Sequence, residues 1–176
     1  GGTHSASFIL SAGSFIPLRH HTLMKYCNTI SFCIFAHELN EIRMGKKEEY
    51  KEQNLLFMDE MAGQAGVMKL PCGVLYKEIE KGSGMVSPGL SDVVSVHYRG
   101  TLINGREFDN SWKRGYPEAF RLNQVIEGWQ EALRHMHVGD RWMIYIPYTL
   151  GYGTRASGPI PGFSTLVFEV ELLGIA

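Results

Sequence analysis

The sequence predicts an α+β protein in which an antiparallel sheet has one buried face, one short helix covers that face, and a further helix precedes the sheet. The apolar residues change from a helical period to a strand period after Pro71. Beyond that point three segments alternate apolar and polar residues. A single helical stripe lies among them, formed by Ile126, Trp129, Leu133 and Met136. One-sided alternation is typical of antiparallel sheets, whose apolar face then needs a covering helix.

The segment from Lys46 to about Ala65 predicts the N-terminal helix, because it is rich in Glu, Lys, Gln, Leu and Met, which are good helix formers. Two glycines weaken its end, and Pro71 prevents its continuation. We assign residues 44–69 to this helix and expect it to pack as a lid or as the arm of a homodimer; a solvated helix is the alternative. Its apolar stripe consists of Tyr50, Phe57, Met58, Met61 and Ala65.

Three strands follow from the period-2 alternation. The clearest runs from Val93 to Leu102, where the apolar members are Val94, Val96, Tyr98 and Leu102. Asn104-Gly105 comes next, the dipeptide that best tolerates a positive φ at both central positions of a tight hairpin turn. The same alternation occurs in residues 141–146 and 166–172. Gly139 is placed to end the covering helix.

Residues 1–43 differ from the rest, since they are rich in Ser and His with one short apolar patch from Ile30 to Ala36. We interpret them as an N-terminal extension, either an added remnant or a disordered segment, and Met44 as the native start. The patch is short and lacks the small-residue cleavage site of a secretory signal. We expect a cytoplasmic location, or a periplasmic one if a signal segment precedes the domain. The cysteines are too few and too scattered for a disulfide framework, namely Cys27, Cys33 and Cys72.

Composition argues against two classes of partner. The 176 residues are 44% apolar and 20% charged, as in an ordinary globular protein. Lys and Arg number 17 against 18 Asp and Glu, a net charge of −1, so no basic surface for nucleic acid is expected. No run of about 18 apolar residues occurs, so no membrane span is expected.

Motifs for nucleotide, phosphoryl or hydrolytic chemistry are missing from the sequence. Gly82-Ser83-Gly84 lacks the third glycine and the following helix that a dinucleotide fingerprint needs. His20-His21 and His135-x-His137 are the candidates for a metal site. Neighbouring polar histidines near a helix end are more often surface residues or partners of the helix dipole. We therefore predict no metal site and no cofactor.

A set of aromatic and aliphatic residues with few polar members remains, and such residues ordinarily form core. Two features argue against a purely structural role. Tyr and Trp carry polar atoms that need partners when buried. Asp109 stands beside Phe108, where a carboxylate is costly unless it is hydrogen-bonded. The set consists of Tyr98, Phe108, Asp109, Phe120, Val125, Ile126, Trp129, Tyr152, Ile160 and Phe168.

The order and spacing of these residues resemble a known family. From about Leu70 to Ala176 the chain is similar to the FKBP family of peptidyl-prolyl cis-trans isomerases. The N-terminal helix and the run from Pro71 to Lys77 resemble the bacterial branch of macrophage infectivity potentiators. The matching segments, each weak alone, are Val96-His97-Tyr98-Arg99-Gly100, Asn104-Gly105 with Phe108-Asp109-Asn110-Ser111, Val125-Ile126-x-Gly128-Trp129, Gly151-Tyr152-Gly153, Ile160-Pro161 and Thr165 to Leu172.

The resemblance implies that residues 70–176 form an isomerase domain. Its strongly bent antiparallel sheet, a half-barrel, would wrap around the Trp129 helix and leave an apolar pocket between them. Trp129 would be the pocket floor, and the walls would be Tyr98, Phe108, Phe120 and Phe168.

The resemblance also implies the roles of the residues at the mouth of the pocket. Val125 and Ile126 would line the entrance, with the Ile126 N–H meeting a substrate carbonyl. Tyr152 would donate its hydroxyl to another carbonyl, Asp109 would face the twisting imide, and Ile160 would sit on a flap. We assign catalysis to Asp109, Tyr152, Ile126, Trp129, Phe168 and Tyr98, and substrate binding to Phe108, Phe120, Val125 and Ile160.

The family often reads Ile-Pro-Pro where this chain has Ile160-Pro161-Gly162, so we expect a more flexible flap. We also expect an ionised Asp109 that hydrogen bonds from neighbours such as Tyr98 hold in place.

The implied function is faster rotation about X-Pro bonds in peptides and folding proteins. The implied partners are proline-containing polypeptides, with macrolides of the tacrolimus type as inhibitors. A non-catalytic module or chaperone that grips proline segments in the same pocket is one alternative, and a carrier of small ligands is another.

Overall fold

The computed structural model describes residues 45–176, which form three α-helices, two short 3-10 helices and a seven-stranded sheet. The predicted extension 1–43, its apolar patch, Met44, Cys27, Cys33 and His20-His21 lie outside the described residues. The helices are α1 (45–62), α2 (Ser111–Arg114) and α3 (Glu127–Leu133). The strands are β1 (Met68–Lys69), β2 (Leu75–Glu80), β3 (Val93–Leu102), β4 (Glu107–Asn110), β5 (Glu118–Arg121), β6 (Arg141–Ile146) and β7 (Leu166–Ile175).

All neighbouring strands of the sheet are antiparallel, in the order β1-β2-β6-β7-β3-β4, with β5 also paired to β3. One side of β3 pairs with β7, while the other side pairs first with β5 and then with β4. Register shifts interrupt three of these pairings, and such bulges bend strands. The predicted α+β class with an antiparallel sheet and one covering helix is confirmed.

The hairpin between β3 and β4 differs from the predicted two-residue turn. Gly105 has a φ of +80°, whereas Asn104 has no positive φ, so the expectation of a positive φ at both positions is wrong. The Leu102 carbonyl accepts from the Gly105 N–H at 2.9 Å, and the Leu102 N–H donates to the Arg106 carbonyl at 2.9 Å. This is a three-residue loop in which only the glycine adopts the left-handed conformation.

Helix α3 covers the inner face of the sheet, as the sequence predicts. Its Trp129, Ala132 and Leu133 are buried among apolar residues of β3, β6 and β7. The helix ends at Leu133, so Gly139 does not end it, contrary to our expectation. Gly139 instead has a φ of +91° in a turn where the Asp140 N–H donates to the His137 carbonyl at 2.9 Å.

The other face of the sheet is also partly covered, because helix α1 packs against it. Phe57 and Met61 lie with Leu75 and Tyr145 in a second apolar cluster. The expectation of a single buried face is therefore wrong for this part of the sheet, and α1 is not a solvated helix. The helix ends at residue 62, so Ala65 lies beyond it and is exposed. Within residues 45–176, no helix combines the length and the apolar character needed to cross a bilayer.

The centre of β3 passes close to two aromatic rings. A Cβ on Gly100 would lie 2.5 Å from the Phe108 ring and 2.8 Å from the Phe168 ring. These two rings meet edge to face with their centroids 5.5 Å apart. Only glycine leaves both rings room at this position of the strand.

We expect Gly100→Ala to lower the free energy of unfolding by about 1–3 kcal/mol, the usual cost of overpacking a filled site. The measurement is the urea midpoint. Gly174→Ala is the matched control, because Gly174 lies in β7 and a Cβ there meets nothing within 4 Å. Equal midpoints for the two variants would contradict the steric role of Gly100.

Candidate active site

A cavity of about 520 Å³ lies between helix α3 and the sheet. All ten residues predicted from the sequence line it, so the structure brings the whole predicted set together. Four further lining residues escaped the sequence analysis: Gln124, Ser157, Gly158 and Pro159. They are polar or loop residues with no apolar periodicity, so the sequence carried no signal for them.

The floor and walls of the cavity are aromatic rings packed edge to face. Trp129 meets Tyr98 and Phe168 with ring centroids 5.2 Å apart and Phe120 at 5.7 Å. Phe108 joins the wall through its contact with Phe168. Edge-to-face pairs favour such separations, so the rings hold one another in place. The result is a rigid apolar enclosure.

Asp109 stands at the rim of this enclosure as a half-buried carboxylate with three donors. The Tyr98 hydroxyl donates to Oδ2 at 2.5 Å, and the Asn110 N–H donates to Oδ1 at 2.8 Å. The Arg114 guanidinium also donates to Oδ1 in an ion pair. Partial burial raises the pKa of Asp109, but the hydrogen bonds from Tyr98 and Arg114 and the charge of Arg114 outweigh it, so the pKa lies below its usual value. The expected ionised state is thus supported.

Arg114 is a residue of the site that the sequence analysis missed. Besides Asp109, its guanidinium donates to the Tyr98 hydroxyl at 3.0 Å and pairs with Glu118 at 2.6 Å. Burial and the bond to Asp109 raise the pKa of Tyr98, which keeps the phenol protonated and able to donate. Arg114, Tyr98 and Asp109 therefore form one charged network at the rim.

The short helix α2 positions Arg114. The Asn110 side chain caps it by accepting from the Lys113 N–H at 3.2 Å, and Gly115 ends it with a φ of +84°. The buried Ser111 hydroxyl accepts from the Tyr98 N–H at 2.8 Å and donates to the Tyr98 carbonyl at 3.2 Å. An Asn followed five residues later by Gly was the sequence signal that could have revealed this helix turn.

Two donors at the mouth of the cavity are free of protein partners within the described part of the chain. The Tyr152 hydroxyl lines the cavity, and burial followed by the charge of Asp109 raises its pKa. The Ile126 N–H precedes α3 and bonds to no group among residues 45–176, while the Ile126 carbonyl accepts from the Trp129 N–H at 2.9 Å. Both donors are available to a ligand in the cavity.

The flap, residues 151–165, carries Ile160 in a tight turn. Ser157 and Ile160 exchange backbone hydrogen bonds of 2.9 and 3.0 Å, and Ile160 is buried. Arg106 of the β3–β4 loop donates to the Pro159 carbonyl. A Cβ on Gly162 would collide with the Thr154 carbonyl, so close approach of two backbone segments accounts for this glycine. These contacts do not support our expectation of a looser flap.

The two histidines considered as metal ligands make separate contacts, and the His137 Nδ1 lies 3.5 Å from Asp140 Oδ2. The His135 Nδ1–H donates to the Glu131 carbonyl at 2.8 Å, and the His137 N–H donates to Asp140 Oδ2 at 2.7 Å. Among residues 45–176, no three His, Cys, Asp or Glu side chains come together where they could hold a metal ion.

The site thus combines an aromatic cavity, two free donors at its mouth and an ionised carboxylate at its rim. The sequence model of the FKBP-type peptidyl-prolyl cis-trans isomerases matches residues 84–173, more than half of the chain. The chain belongs to this family.

Its relatives include a macrophage infectivity potentiator and an FKBP-type peptidyl-prolyl cis-trans isomerase. The chain is 48% identical over 126 residues to a macrophage infectivity potentiator of Trypanosoma cruzi, covering 71% of this chain and 64% of that protein. It is 44% identical over 135 residues to the FKBP-type 22 kDa peptidyl-prolyl cis-trans isomerase of Escherichia coli, covering 76% and 65%. The chain thus spans just under two thirds of the length of these two relatives.

Solved structures agree with this assignment. The crystal structure of FkpA from Escherichia coli superposes with a TM-score of 0.73 at 34% identity, covering 90% of this chain and 73% of that one. A peptidyl-prolyl cis-trans isomerase from Pseudomonas syringae superposes with a TM-score of 0.68 at 36% identity, covering 73% and 95%.

Acid should remove the stability that the ionised Asp109 contributes. Because the folded-state pKa lies below the ordinary value of about 3.9, this contribution is complete above about pH 5 and is lost as the pH falls through the folded-state pKa. We expect Asp109→Asn to lower the urea midpoint at neutral pH and to lower it much less at about pH 2.5.

The matched control is Asp59→Asn, since Asp59 is an exposed carboxyl on α1. That change should leave the midpoint unaltered at both pH values. A deficit of Asp109→Asn that is equally large at both pH values would contradict the role of the carboxylate charge.

Proposed function

We propose that this chain is a peptidyl-prolyl cis-trans isomerase that accelerates rotation about X-Pro bonds in peptides and folding proteins. One observation carries the proposal: an apolar aromatic cavity has a held, ionised carboxylate at its rim and two unpaired donors at its mouth. Membership of the family supports the same activity.

The reaction suits a site with few polar groups. Rotation about an X-Pro bond has a barrier of about 20 kcal/mol, because resonance gives the C–N bond partial double-bond character. The twisted transition state has lost that resonance, and its carbonyl is less polar than in the planar ground state. An apolar pocket therefore binds the twisted form better than water does, and this difference lowers the barrier without a nucleophile or a proton relay.

The two free donors would hold the peptide on both sides of the X-Pro bond, so that rotation occurs about that bond alone. The Tyr152 hydroxyl and the Ile126 N–H would each bind a carbonyl that flanks the proline, so the peptide on either side is fixed while one bond turns. Holding the reacting group in one geometry reduces the entropy that the transition state must lose. Ile160 of the flap and Val125 would close the pocket over the proline ring.

Asp109 supplies a fixed negative charge rather than an acid or a base. Its low pKa keeps it ionised, and its three donors fix its direction. A fixed charge at the edge of a dry cavity acts on the imide more strongly than a solvated one, and it needs no reorganisation during the rotation.

The pocket also suits macrolides of the tacrolimus type, which would bind the aromatic walls and the same two donors and compete with peptide. The alternative is a module or chaperone that binds proline segments in this pocket without turnover. The held carboxylate favours the enzyme, because binding a neutral proline ring alone does not require a fixed charge.

A protease-coupled assay with a proline peptide should show a rate enhancement that saturates with substrate and that tacrolimus inhibits competitively. Asp109→Asn should lower turnover by about tenfold or more while changing the affinity for the neutral macrolide little. Turnover, macrolide affinity and the urea midpoint are measured on one preparation.

The midpoint separates catalysis from folding, since turnover is expressed per folded molecule. Binding of peptide or tacrolimus without any rate enhancement would identify the non-catalytic module. Unchanged turnover per folded Asp109→Asn molecule would remove Asp109 from the catalytic residues.

We also propose that α1 joins two copies of the chain. Leu55 and Leu56 are 43% and 60% exposed, and Leu56 lies on the side of the helix away from the sheet. Sedimentation equilibrium should give twice the mass of one chain for the wild type. Leu56→Lys should lower the measured mass to that of a single chain. Gln53→Lys, also exposed on α1, is the control. A wild-type mass of one chain would contradict the dimer.

A further inference from the structure

Helix α1 reaches the pocket flap through one buried amide side chain. Asn54 is fully buried, and its Oδ1 accepts from the Thr165 N–H at 2.7 Å. The backbone carbonyl of Asn54 accepts from the Thr165 hydroxyl at 3.1 Å, and the side-chain Nδ2 of Asn54 donates to the Tyr50 backbone carbonyl at 2.7 Å. Thr165 directly precedes β7, so this contact lies where the flap joins the sheet.

A second chain of hydrogen bonds runs from α1 into the flap. The Ser164 hydroxyl donates to the Pro161 carbonyl at 2.8 Å, so the Tyr50 hydroxyl is the donor in its 2.8 Å bond to Ser164. The Nζ atoms of Lys47 and Lys51 lie over the Phe163 ring, 5.1 and 5.6 Å from its centroid. Three consecutive flap residues thus contact α1.

The flap also has supports of its own, since the Phe163 N–H donates to the Gly153 carbonyl at 2.9 Å and Arg106 donates to the Pro159 carbonyl. Between Gly151 and Thr165 its regular pairing is the single bridge of Ser157 with Ile160. Phe163 has a φ of +66°, a conformation that costs a non-glycine residue energy unless its surroundings enforce it. The loop carries five of the lining residues, among them Tyr152 and Ile160, and its contacts with α1 are concentrated at its C-terminal end.

We propose that Asn54 is a positioning residue of the pocket, acting through Thr165 to set the flap over the cavity. Removing its side chain leaves the buried Thr165 N–H without an acceptor, and the flap can regain a partner only by moving toward water. A loop that must be ordered during binding weakens affinity, because the ordering entropy is then lost at that step. The kinetic part of this inference rests on the proposed isomerase function.

The test compares Asn54→Ala with Gln53→Ala, its exposed neighbour on the same helix. Hydrogen exchange is followed at the Gly153, Ser157 and Ile160 amides. Ser157 and Ile160 are bonded to each other, Gly153 donates to the Tyr148 carbonyl, and none of the three bonds to Asn54. We expect Asn54→Ala to speed their exchange by about tenfold while the amides of β3 and β7 keep their rates. KM should rise by about three- to tenfold with kcat changed less than about twofold. Gln53→Ala should match the wild type.

Tyr50→Phe is the milder second variant, because it removes one hydroxyl and keeps the ring. It should speed exchange in the same direction by a smaller factor, and it decides the question if Asn54→Ala does not fold. Wild-type exchange at Gly153, Ser157 and Ile160 in the folded variants would overturn the proposal, even if the melting temperature fell. A wild-type chain without isomerase activity would refute the proposed function, while the exchange rates would still decide the role of Asn54.

Discussion

The packing of Trp129 against rings from three strands is the interaction on which the rest of the molecule depends. Tyr98 comes from β3, Phe120 from β5 and Phe168 from β7, and each meets the indole nearly edge to face. Such pairs add about 0.5–1.5 kcal/mol each to the burial of their area. The indole N–H is buried without an acceptor among the described residues, a cost of about 1–3 kcal/mol that these contacts offset. The same rings close the core and form the pocket floor, so the fold cannot form without forming the site.

Tyr98 joins the apolar and the charged parts of this site. Its ring packs on Trp129, while its hydroxyl donates to Asp109 and accepts from Arg114. Because the ring is fixed by the core, the carboxylate is fixed as well. Arg114 supplies the opposite charge without entering the cavity, since α2 holds it at the rim through Ser111. An ionised group is thereby kept beside aromatic walls that would otherwise favour its neutral form.

Much of this arrangement could be predicted from the sequence, because apolar periodicity records which side chains face the core. The alternation from Val93 to Leu102 gave the bounds of β3 and its buried side. The resemblance then assembled residues from seven separate places in the chain into one pocket, and the ten predicted residues do line it. The sequence could not predict contacts that depend on tertiary structure. Arg114 joins the site through its ion pair with Asp109, and the periodicity of apolar residues gives no information about charged ones.

The errors have the same origin. Gly139 fits a helix end, but its N–H donates to the Leu172 carbonyl of β7, and it lies in a later turn. Asn104-Gly105 fits a two-residue turn, but the register of β3 with β4 shifts after Gly100 and requires a three-residue loop. We predicted one buried face for the sheet because the sequence does not show which surface the apolar stripe of α1 packs against. Leu75 and Tyr145 show that it packs on their own sheet.

The flap and the floor of the pocket are stabilised by different means, and this difference has a physical consequence. The floor is made of rings packed edge to face, so any change in its shape alters both the core and the cavity. The flap is held from outside by Asn54, Tyr50 and Arg106, none of which lines the cavity. Elements with few buried apolar contacts open at the lowest free energy, as a covering loop must if a polypeptide is to enter. Residues on α1 can therefore set how readily the flap opens, while Trp129 and Asp109, at the floor and rim of the cavity, stay in place.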